Sequence, residues 1–410
     1  MPGRNTDAYS ILPKKRRPYE SKPLPRSRPK EGGIMMDFSR LTAYLDYLDK
    51  LNVPGCDLAV CRDHELIYRH QAGYRDLART APIQGDEAYL LYSATKVFTS
   101  CAAMQMVEQG KLRLDDPVSA YLPAYAHLTV KEGDTVRPAK TVMTVRHLMS
   151  MQSGLNYNTD IPAIEKVMKE SNQRATTRQI AEAKAEDPLE FDPGTDFQYS
   201  FSHDVLAAVI EAASGQRFSA CLNEHIWEPL HIHGMAMRLN DGLRKRLCPL
   251  YSYDPETYSL KECTQEEIEE RFNPEFESGG GGLIGGVADY IQFADALACG
   301  GRGKDGAHIL SPETIQLWSA NQLCPKGRQS FDGWHRIGFS YALGVRTRVN
   351  DRIGGPGVLG EFGWDGAAGA WVMIDPSNRL SAFFGMHVLN YGYNYDVIHP
   401  TLRGLIYEGL

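Results

Sequence analysis

The chain has 410 residues, of which 42% are hydrophobic and 23% are charged, and its formal net charge is −7. This is the composition of a globular protein with a sizeable core, and the acidic balance argues against nucleic-acid binding. No apolar run approaches the roughly 18 residues of a membrane-spanning helix, so we expect no membrane association. The eight cysteines include no Cys-x-x-Cys pair, which favours reduced thiols and a cytoplasmic protein.

The first 36 residues differ in composition from the rest of the chain. Residues 1–36 hold six prolines and nine basic residues against three acidic ones, and they lack the apolar segment of a signal peptide. We interpret them as a solvated extension or tag, with translation starting naturally near Met35 or Met36. The alternative is a basic arm that docks on the acidic body or on a neighbouring subunit, and the sequence leaves a homo-oligomer open.

Periodicity along the remaining chain predicts the fold. Near its start we expect a helix over 38–51 and a hairpin of two strands over 56–61 and 66–74. Helical patterns joined by loops follow at 97–110, 145–151, 161–183, 203–214, 218–227, 287–299 and 311–320. Strands return at 339–349, 368–374 and 380–389, before a last helix over 395–408. This order predicts an α+β fold: one antiparallel sheet built from both chain ends and flanked by helices, with an inserted all-helical region.

A Ser-x-x-Lys motif occurs twice, at Ser27–Lys30 and at Ser93–Lys96. The first copy lies in the proline-rich extension, where no rigid site is expected. Ser93 follows an apolar run and opens a predicted helix, on which Ser93 and Lys96 share one face. A desolvated lysine there can lose its proton and activate the hydroxyl as a nucleophile. Alternatively, Ser93 is only an N-cap and Lys96 only a solvated charge, and the local sequence does not decide between the two.

Other motifs are weaker. Gly280, Gly282 and Gly285 match the dinucleotide-binding spacing, but they follow a polar, proline-broken segment instead of a strand, so we interpret them as a glycine-rich turn. His231 and His233 could bind a metal, but no third ligand lies at a usual spacing. We therefore expect neither a metal nor a cofactor.

Five sequence blocks occur in the order typical of one superfamily. They are residues 92–99 (YSATKVFT), 145–155 (VRHLMSMQSGL), 193–200 (PGTDFQYS), 278–283 (SGGGGL) and 360–367 (GEFGWDGA). Over roughly residues 38–408 the chain resembles the serine β-lactamase and penicillin-binding-protein-like superfamily, closest to class C β-lactamases, DD-peptidases and family VIII carboxylesterases. The resemblance implies a β-lactamase/transpeptidase-like fold. We expect a sheet domain of residues 37–90 and 300–410 and a helical domain of residues 91–299, with the active site at their interface.

The resemblance implies a role for each matched residue. Ser93 would be the nucleophile, and Lys96 and Tyr199 would share the general-base and general-acid roles. Gly366 would let the substrate lie against the edge strand. The backbone N–H groups of Ser93 and Ala367 would form the oxyanion hole.

Two substrate-binding positions depart from the β-lactam-recognising pattern. Phe201 stands at the place of the asparagine of the family's Tyr-x-Asn motif, and Trp364 at the place of the lysine that binds a carboxylate. Losing a charge-assisted hydrogen bond costs about 1.5–3 kcal/mol, whereas an uncharged ester needs neither partner. We therefore expect a serine carboxylesterase that cleaves short-chain esters through an acyl-serine intermediate, or passes the acyl group to an alcohol. The alternatives are a β-lactamase or D-amino-acid peptidase and, less favoured, a non-catalytic penicillin-recognising protein.

Overall fold

A computed structural model describes residues 36–269, 274–334 and 336–410. The expected basic extension, apart from Met36, and the Ser27–Lys30 motif lie outside the described residues. In the part that is described, none of the helices is both long and apolar enough to cross a membrane. All eight cysteines belong to this part, and each is a free thiol.

Most helices lie between strands near the two ends of the described chain, as the sequence periodicity indicates, but residues 339–349, predicted as one strand, form two. The strands are β1 (Gly55–Arg62), β2 (Glu65–Gly73), β3 (Tyr89–Leu90), β4 (Thr129–Glu132), β5 (Thr135–Pro138), β6 (Tyr251–Asp254), β7 (Ser259–Glu262), β8 (Ile284–Gly285), β9 (Phe339–Tyr341), β10 (Arg346–Arg348), β11 (Phe362–Gly363), β12 (Trp371–Asp375), β13 (Leu380–Gly385) and β14 (Val388–Leu389). The helices are α1 (Ser39–Tyr47), α2 (Thr95–Glu108), α3 (Val145–Met149), α4 (Pro162–Glu170), α5 (Thr177–Lys184), α6 (Ser202–Ser214), α7 (Phe218–Leu222), α8 (Asp241–Arg246), α9 (Gln265–Glu269), α10 (Val287–Ala298), α11 (Pro312–Ser319), α12 (Pro325–Asp332) and α13 (His399–Gly409).

Strands from both ends of the described chain form a seven-stranded sheet in the order β2-β1-β13-β12-β11-β10-β9. All neighbouring pairs in this sheet are antiparallel. The N-terminal hairpin therefore lies beside the C-terminal strand β13, which confirms the predicted antiparallel sheet built from both chain ends.

The two faces of the sheet are covered by different layers. Because side chains alternate along a strand, Phe383 of β13 joins the core beneath the helical region, while Phe384 joins a second core beneath α1 and α13. Tyr290 of α10 stacks on Phe383 with ring centroids 3.9 Å apart. The inserted region thus docks on one face of the sheet, and the terminal helices cover the other.

The predicted single helix over 161–183 is wrong. The chain forms α4 and α5 instead, because Asn172 and Gln173 between them adopt positive φ values of 53° and 63°. Thr176 then starts α5 with a capping box, in which its side chain accepts from the backbone N–H of Gln179 and the Gln179 side chain accepts in return.

The inserted region also contains short strand pairs besides its helices. The strands β4 and β5 form a hairpin of four residues each, and β6 pairs with β7. Several residues of the β4–β5 hairpin are exposed and charged, so the apolar alternation that predicts a strand is missing there.

Candidate active site

Ser93 lies in a tight turn between a strand and a helix. The strand β3 ends at Leu90, three positions before it, and the 3-10 turn Tyr92–Ala94 leads directly into α2. Tyr92 has φ of 46°, a left-handed conformation that costs a non-glycine residue roughly 1–2 kcal/mol. The Tyr290 hydroxyl donates to the Ala94 carbonyl at 2.8 Å and so helps to hold the turn. The cap residue of α2 is Ala94, without a side-chain cap bond, so Ser93 is not the N-cap.

Lys96 lies at the first turn of α2 and is completely buried. Its Nζ donates to Ser93 Oγ at 3.1 Å and to the Gly280 carbonyl at 2.6 Å. Burial lowers the pKa of Lys96 to about 7, although the charge of Asp204 opposes the shift. The alternative of a solvated lysine is therefore wrong, and a buried base lies within hydrogen-bond distance of the serine.

Tyr199 lies in the loop before α6 and joins the same group. Lys96 Nζ lies 4.6 Å from the centroid of the Tyr199 ring. The indole N–H of Trp364 donates to the Tyr199 hydroxyl at 2.8 Å. The structure thus brings Ser93, Lys96, Tyr199 and Trp364 together, although they come from segments up to 271 positions apart in the numbering.

The turn after β11 closes on the segment that precedes Ser93. A Cβ atom added to Gly366 would lie 2.3 Å from the Leu91 carbonyl oxygen, so only glycine allows this approach. Ala367 is partly exposed and packs on an apolar cluster that contains Tyr92. The structure therefore places Gly366 and Ala367 beside the serine turn. Their roles in substrate binding and in the oxyanion hole stay predictions.

Phe201, expected at a substrate-binding position, packs against another aromatic residue. It is the cap residue of α6 and is buried, and its ring stacks on Phe276 with centroids 6.2 Å apart and planes 7° apart. The observed ring contact places Phe201 in the core behind the Tyr199 loop. A direct substrate contact of Phe201 stays a prediction.

Asp204 is a functional neighbour that the sequence reasoning missed. This buried residue on α6 accepts from the Ser278 hydroxyl and from the Gly280 N–H, the latter at 3.2 Å. The carbonyl of the same Gly280 accepts from Lys96. A Cβ atom on Gly280 would lie 2.4 Å from the Asp204 carboxylate, so close packing explains the glycine at this position. The glycine-rich block was the signal that could have indicated a tightly packed partner.

Two further aromatic residues pack around the Tyr199 ring, and they were not identified from the sequence. The rings of Tyr157 and Trp334 lie 5.8 Å and 5.1 Å from that of Tyr199, and Trp334 lies 6.3 Å from Trp364. No motif marks either residue, because they lie in separate loops far apart in the sequence. Together with Trp364 they give the site an aromatic wall.

The histidines that were considered as metal ligands have other contacts. His231 Nε2 lies 2.7 Å from an Asp305 carboxylate oxygen, and the ring centroids of His231 and His233 are 6.5 Å apart. This arrangement is an exposed side-chain contact between His231 and Asp305.

A second group of potential ligand atoms comes from His64, Asp295 and Cys299, which lie within 4.8 Å of one another. His64 already shares a hydrogen bond of 2.8 Å with Asp295. The cationic side chain of Arg379 bonds to Cys299. Because the donors are paired and a positive charge lies beside them, we assign no metal site to this group.

The fold and the site together define a class: serine hydrolases and acyltransferases of the β-lactamase type, in which a serine hydroxyl lies against a buried lysine. The family comparison agrees, because the model of the Beta-lactamase family matches residues 41–396. The chain belongs to this family, which confirms the resemblance and the fold expected from the sequence.

Individual relatives include esterases and acyltransferases. Esterase EstB of Burkholderia gladioli is 26% identical over 370 residues, which cover 84% of this chain and 88% of the esterase. The monacolin J acid methylbutanoyltransferase of Aspergillus terreus is 27% identical over 342 residues, which cover 77% of this chain and 79% of the transferase. Among solved structures, EstCE1, a hydrolase with promiscuous acyltransferase activity, has a TM-score of 0.74 at 22% identity, covering 90% of this chain and 98% of that chain. This structural likeness shows the shared fold.

Proposed function

We propose that this protein is a serine carboxylesterase that cleaves short-chain esters through an acyl intermediate on Ser93. The observation that carries the proposal is the distance of 3.1 Å between Lys96 Nζ and Ser93 Oγ. With a pKa of about 7, Lys96 is neutral in a large fraction of molecules at neutral pH. A neutral amine can accept the serine proton, whereas an ammonium group cannot.

The proposed reaction has two halves. Ser93 Oγ attacks the ester carbonyl carbon while its proton passes to Lys96, and the carbonyl oxygen gains a negative charge that the N–H groups of Ser93 and Ala367 stabilise. When the tetrahedral intermediate collapses, the carbon–oxygen bond to the alcohol breaks and Tyr199 relays the proton to the departing oxygen. Water then attacks the acyl carbon and loses a proton to the same base. The bond from that carbon to Ser93 Oγ breaks, Oγ takes the proton back from the base, and the carboxylic acid leaves.

The surroundings of Tyr199 support a neutral substrate. Trp364 has one polar hydrogen, on its indole nitrogen, and that hydrogen is bonded to Tyr199, so it is not offered to a substrate carboxylate. The aromatic wall of Tyr157, Trp334 and Trp364 would desolvate an anion without pairing it. The same wall favours alkyl groups, at about 0.8 kcal/mol for each buried methylene.

Transfer of the acyl group to an alcohol is the second candidate. It uses the same acyl-Ser93 and differs only in whether water or an alcohol attacks. The names of the relatives support both outcomes, because one is an esterase and another a methylbutanoyltransferase. We also propose a cytoplasmic location, supported by the eight free thiols, and a small ester as the partner.

The test is a comparison of acyl donors on one preparation, with Ser93→Ala as the control. We expect p-nitrophenyl butyrate to be hydrolysed faster than the acetate, long-chain esters to be slow, and the β-lactam nitrocefin to be turned over slowly. Formation of a new ester after an alcohol is added would show that the protein transfers the acyl group. Faster turnover of nitrocefin than of the butyrate ester would contradict the esterase proposal and favour a β-lactamase. No turnover and no labelling of Ser93 by a fluorophosphonate would indicate a non-catalytic protein.

A further inference from the structure

The turn that carries Ala367 has few side chains of its own to hold it. Residues 366–370 are Gly-Ala-Ala-Gly-Ala, so they offer no side-chain hydrogen bond. Within the turn, the Gly366 N–H donates to the Ala370 carbonyl at 2.7 Å and the Gly369 N–H to the Gly366 carbonyl at 2.9 Å. The direction of the Ala367 N–H therefore depends on the groups that lie behind the turn.

Asp365 ties the start of this turn to two cations. Its Oδ1 accepts from Arg346 Nη1 at 2.8 Å, and its Oδ2 accepts from Arg336 Nη2 at 2.6 Å. Asp365 and Arg346 are buried. Burial alone would raise the pKa of Asp365, but Arg336 and Arg346 outweigh it and lower the pKa below its usual value. The carboxylate therefore stays ionised and bonded to both arginines.

Further hydrogen bonds hold the rest of the turn from the same side. The Tyr395 hydroxyl donates to the Gly366 carbonyl at 3.1 Å, and His399 Nε2 lies 3.0 Å from the Gly369 carbonyl. Since a carbonyl can only accept, His399 Nε2 carries the proton. Arg336 connects the two groups of contacts, because its Nη1 donates to the Tyr395 carbonyl at 3.1 Å.

We propose that Asp365 is a positioning residue for the oxyanion hole. Through its bonds to Arg336 and Arg346, Asp365 holds the Ala367 N–H in place. The inference rests on the proposed function. A displacement of about 1 Å in a catalytic group can cost about 100-fold in rate, and loss of one oxyanion donor costs about 100- to 1000-fold. Loosening this anchor should therefore lower kcat more than it affects substrate binding.

The chain offers a matched control in Glu361. This carboxylate is also buried, and it accepts from Arg403 Nε at 2.8 Å. Its partner lies on α13, and within the described part of the chain no hydrogen bond joins Glu361 to the turn of residues 366–370. Asp365→Asn and Glu361→Gln each remove one buried negative charge that is bonded to arginine. Both variants should therefore have a lower melting temperature than the wild type.

The experiment measures kcat and KM for p-nitrophenyl butyrate and the rate of Ser93 labelling by a fluorophosphonate. For Asp365→Asn we expect a roughly 10- to 100-fold loss in kcat and in labelling rate, with KM within about threefold of the wild type. Glu361→Gln should stay within about twofold in both rates. If Asp365→Asn does not fold, Arg336→Lys, which keeps the charge but shortens the reach, should show the same pattern more weakly.

Equal losses in Asp365→Asn and Glu361→Gln, or a folded Asp365→Asn with wild-type rates, would overturn the positioning role. The labelling rate does not depend on the identity of the substrate. A wild type that is labelled at Ser93 but hydrolyses no ester would contradict the proposed function, while the labelling rates of the variants would still decide the role of Asp365.

Discussion

Two completely buried lysines in this protein have different surroundings. Lys184, at the end of α5, donates to the Asp187 carboxylate at 2.6 Å, to Asn156 Oδ1 at 2.7 Å and to the Asn158 carbonyl. Lys96 donates to one hydroxyl and one carbonyl. The carboxylate of Asp204 acts on it through the intervening Gly280 peptide.

The comparison shows how one residue type serves two purposes. Burial lowers the pKa of both lysines, but for Lys184 the bonded Asp187 opposes this shift directly. Lys184 therefore keeps a partner for its charge and fastens the loop before α4 to the helix. Among the described residues, no carboxylate is hydrogen-bonded to Lys96, and its pKa of about 7 suits a base that works near neutral pH.

Replacing Lys96 and replacing Lys184 should differ most in their effect on kcat. Lys96→Met keeps the volume of the side chain and removes the base, so kcat for p-nitrophenyl butyrate should fall about 100-fold or more. The free energy of unfolding should change little or increase, since replacing a poorly paired buried charge with an apolar group is often neutral or stabilising. Steady-state kinetics and urea unfolding on the same protein check both outcomes. A kcat within tenfold of the wild type would remove Lys96 as the base.

A comparable loss of kcat is expected when Tyr199 is replaced, and a double variant tests whether Tyr199 and Lys96 act together. Tyr199→Phe should also lower kcat about 100-fold. If Lys96 and Tyr199 share one proton relay, the double variant Lys96→Met with Tyr199→Phe should cost far less than the product of the single losses. Fully multiplicative losses would show that the two residues act independently.

The pH profile tests the Lys96 pKa itself. Below a pKa of about 7 the amine is protonated and cannot accept the serine proton, so kcat/KM should fall about tenfold per pH unit on the acid side. Above that pKa the neutral amine predominates and the profile should level off. Lys184→Met should leave the midpoint unchanged. A profile without change between about pH 6 and about pH 8 would contradict a titrating Lys96.

The smallest effect on rate is expected at Lys184. Lys184→Met removes the Lys184 donor from the Asp187 carboxylate and from the Asn158 carbonyl, which should lower the free energy of unfolding by about 1–3 kcal/mol. The folded variant should keep kcat within about twofold of the wild type. Denaturant unfolding and active-site titration check this, and a large loss of kcat at unchanged stability would remove the contrast with Lys96.

The parts of the site that could be predicted from the sequence are those with local or family-specific patterns. Ser93 and Lys96 are three positions apart, so the predicted helix already placed them on one face. Tyr199 needed the family pattern, because nothing in its own surroundings separates it from other buried tyrosines. The sheet was predictable because its strands form apolar runs at both ends of the chain.

Contacts that depend on tertiary structure could not be predicted in this way. Asp365 meets Arg346 and Arg336 across 19 and 29 positions, and no spacing rule connects a turn residue with such partners. The sequence pattern also did not predict the break between α4 and α5, because Asn172 and Gln173 lie within an otherwise helical apolar pattern.

The most direct test of the central claim is to trap the acyl-enzyme. The protein is mixed with p-nitrophenyl butyrate, quenched with acid within milliseconds to seconds, digested and mapped by mass spectrometry, with Ser93→Ala treated in parallel. We predict a butyryl group on the peptide that contains Ser93, absent from the variant, and its accumulation in Tyr199→Phe if deacylation slows more than acylation. A butyryl group on another residue, or undiminished hydrolysis by Ser93→Ala, would contradict the account.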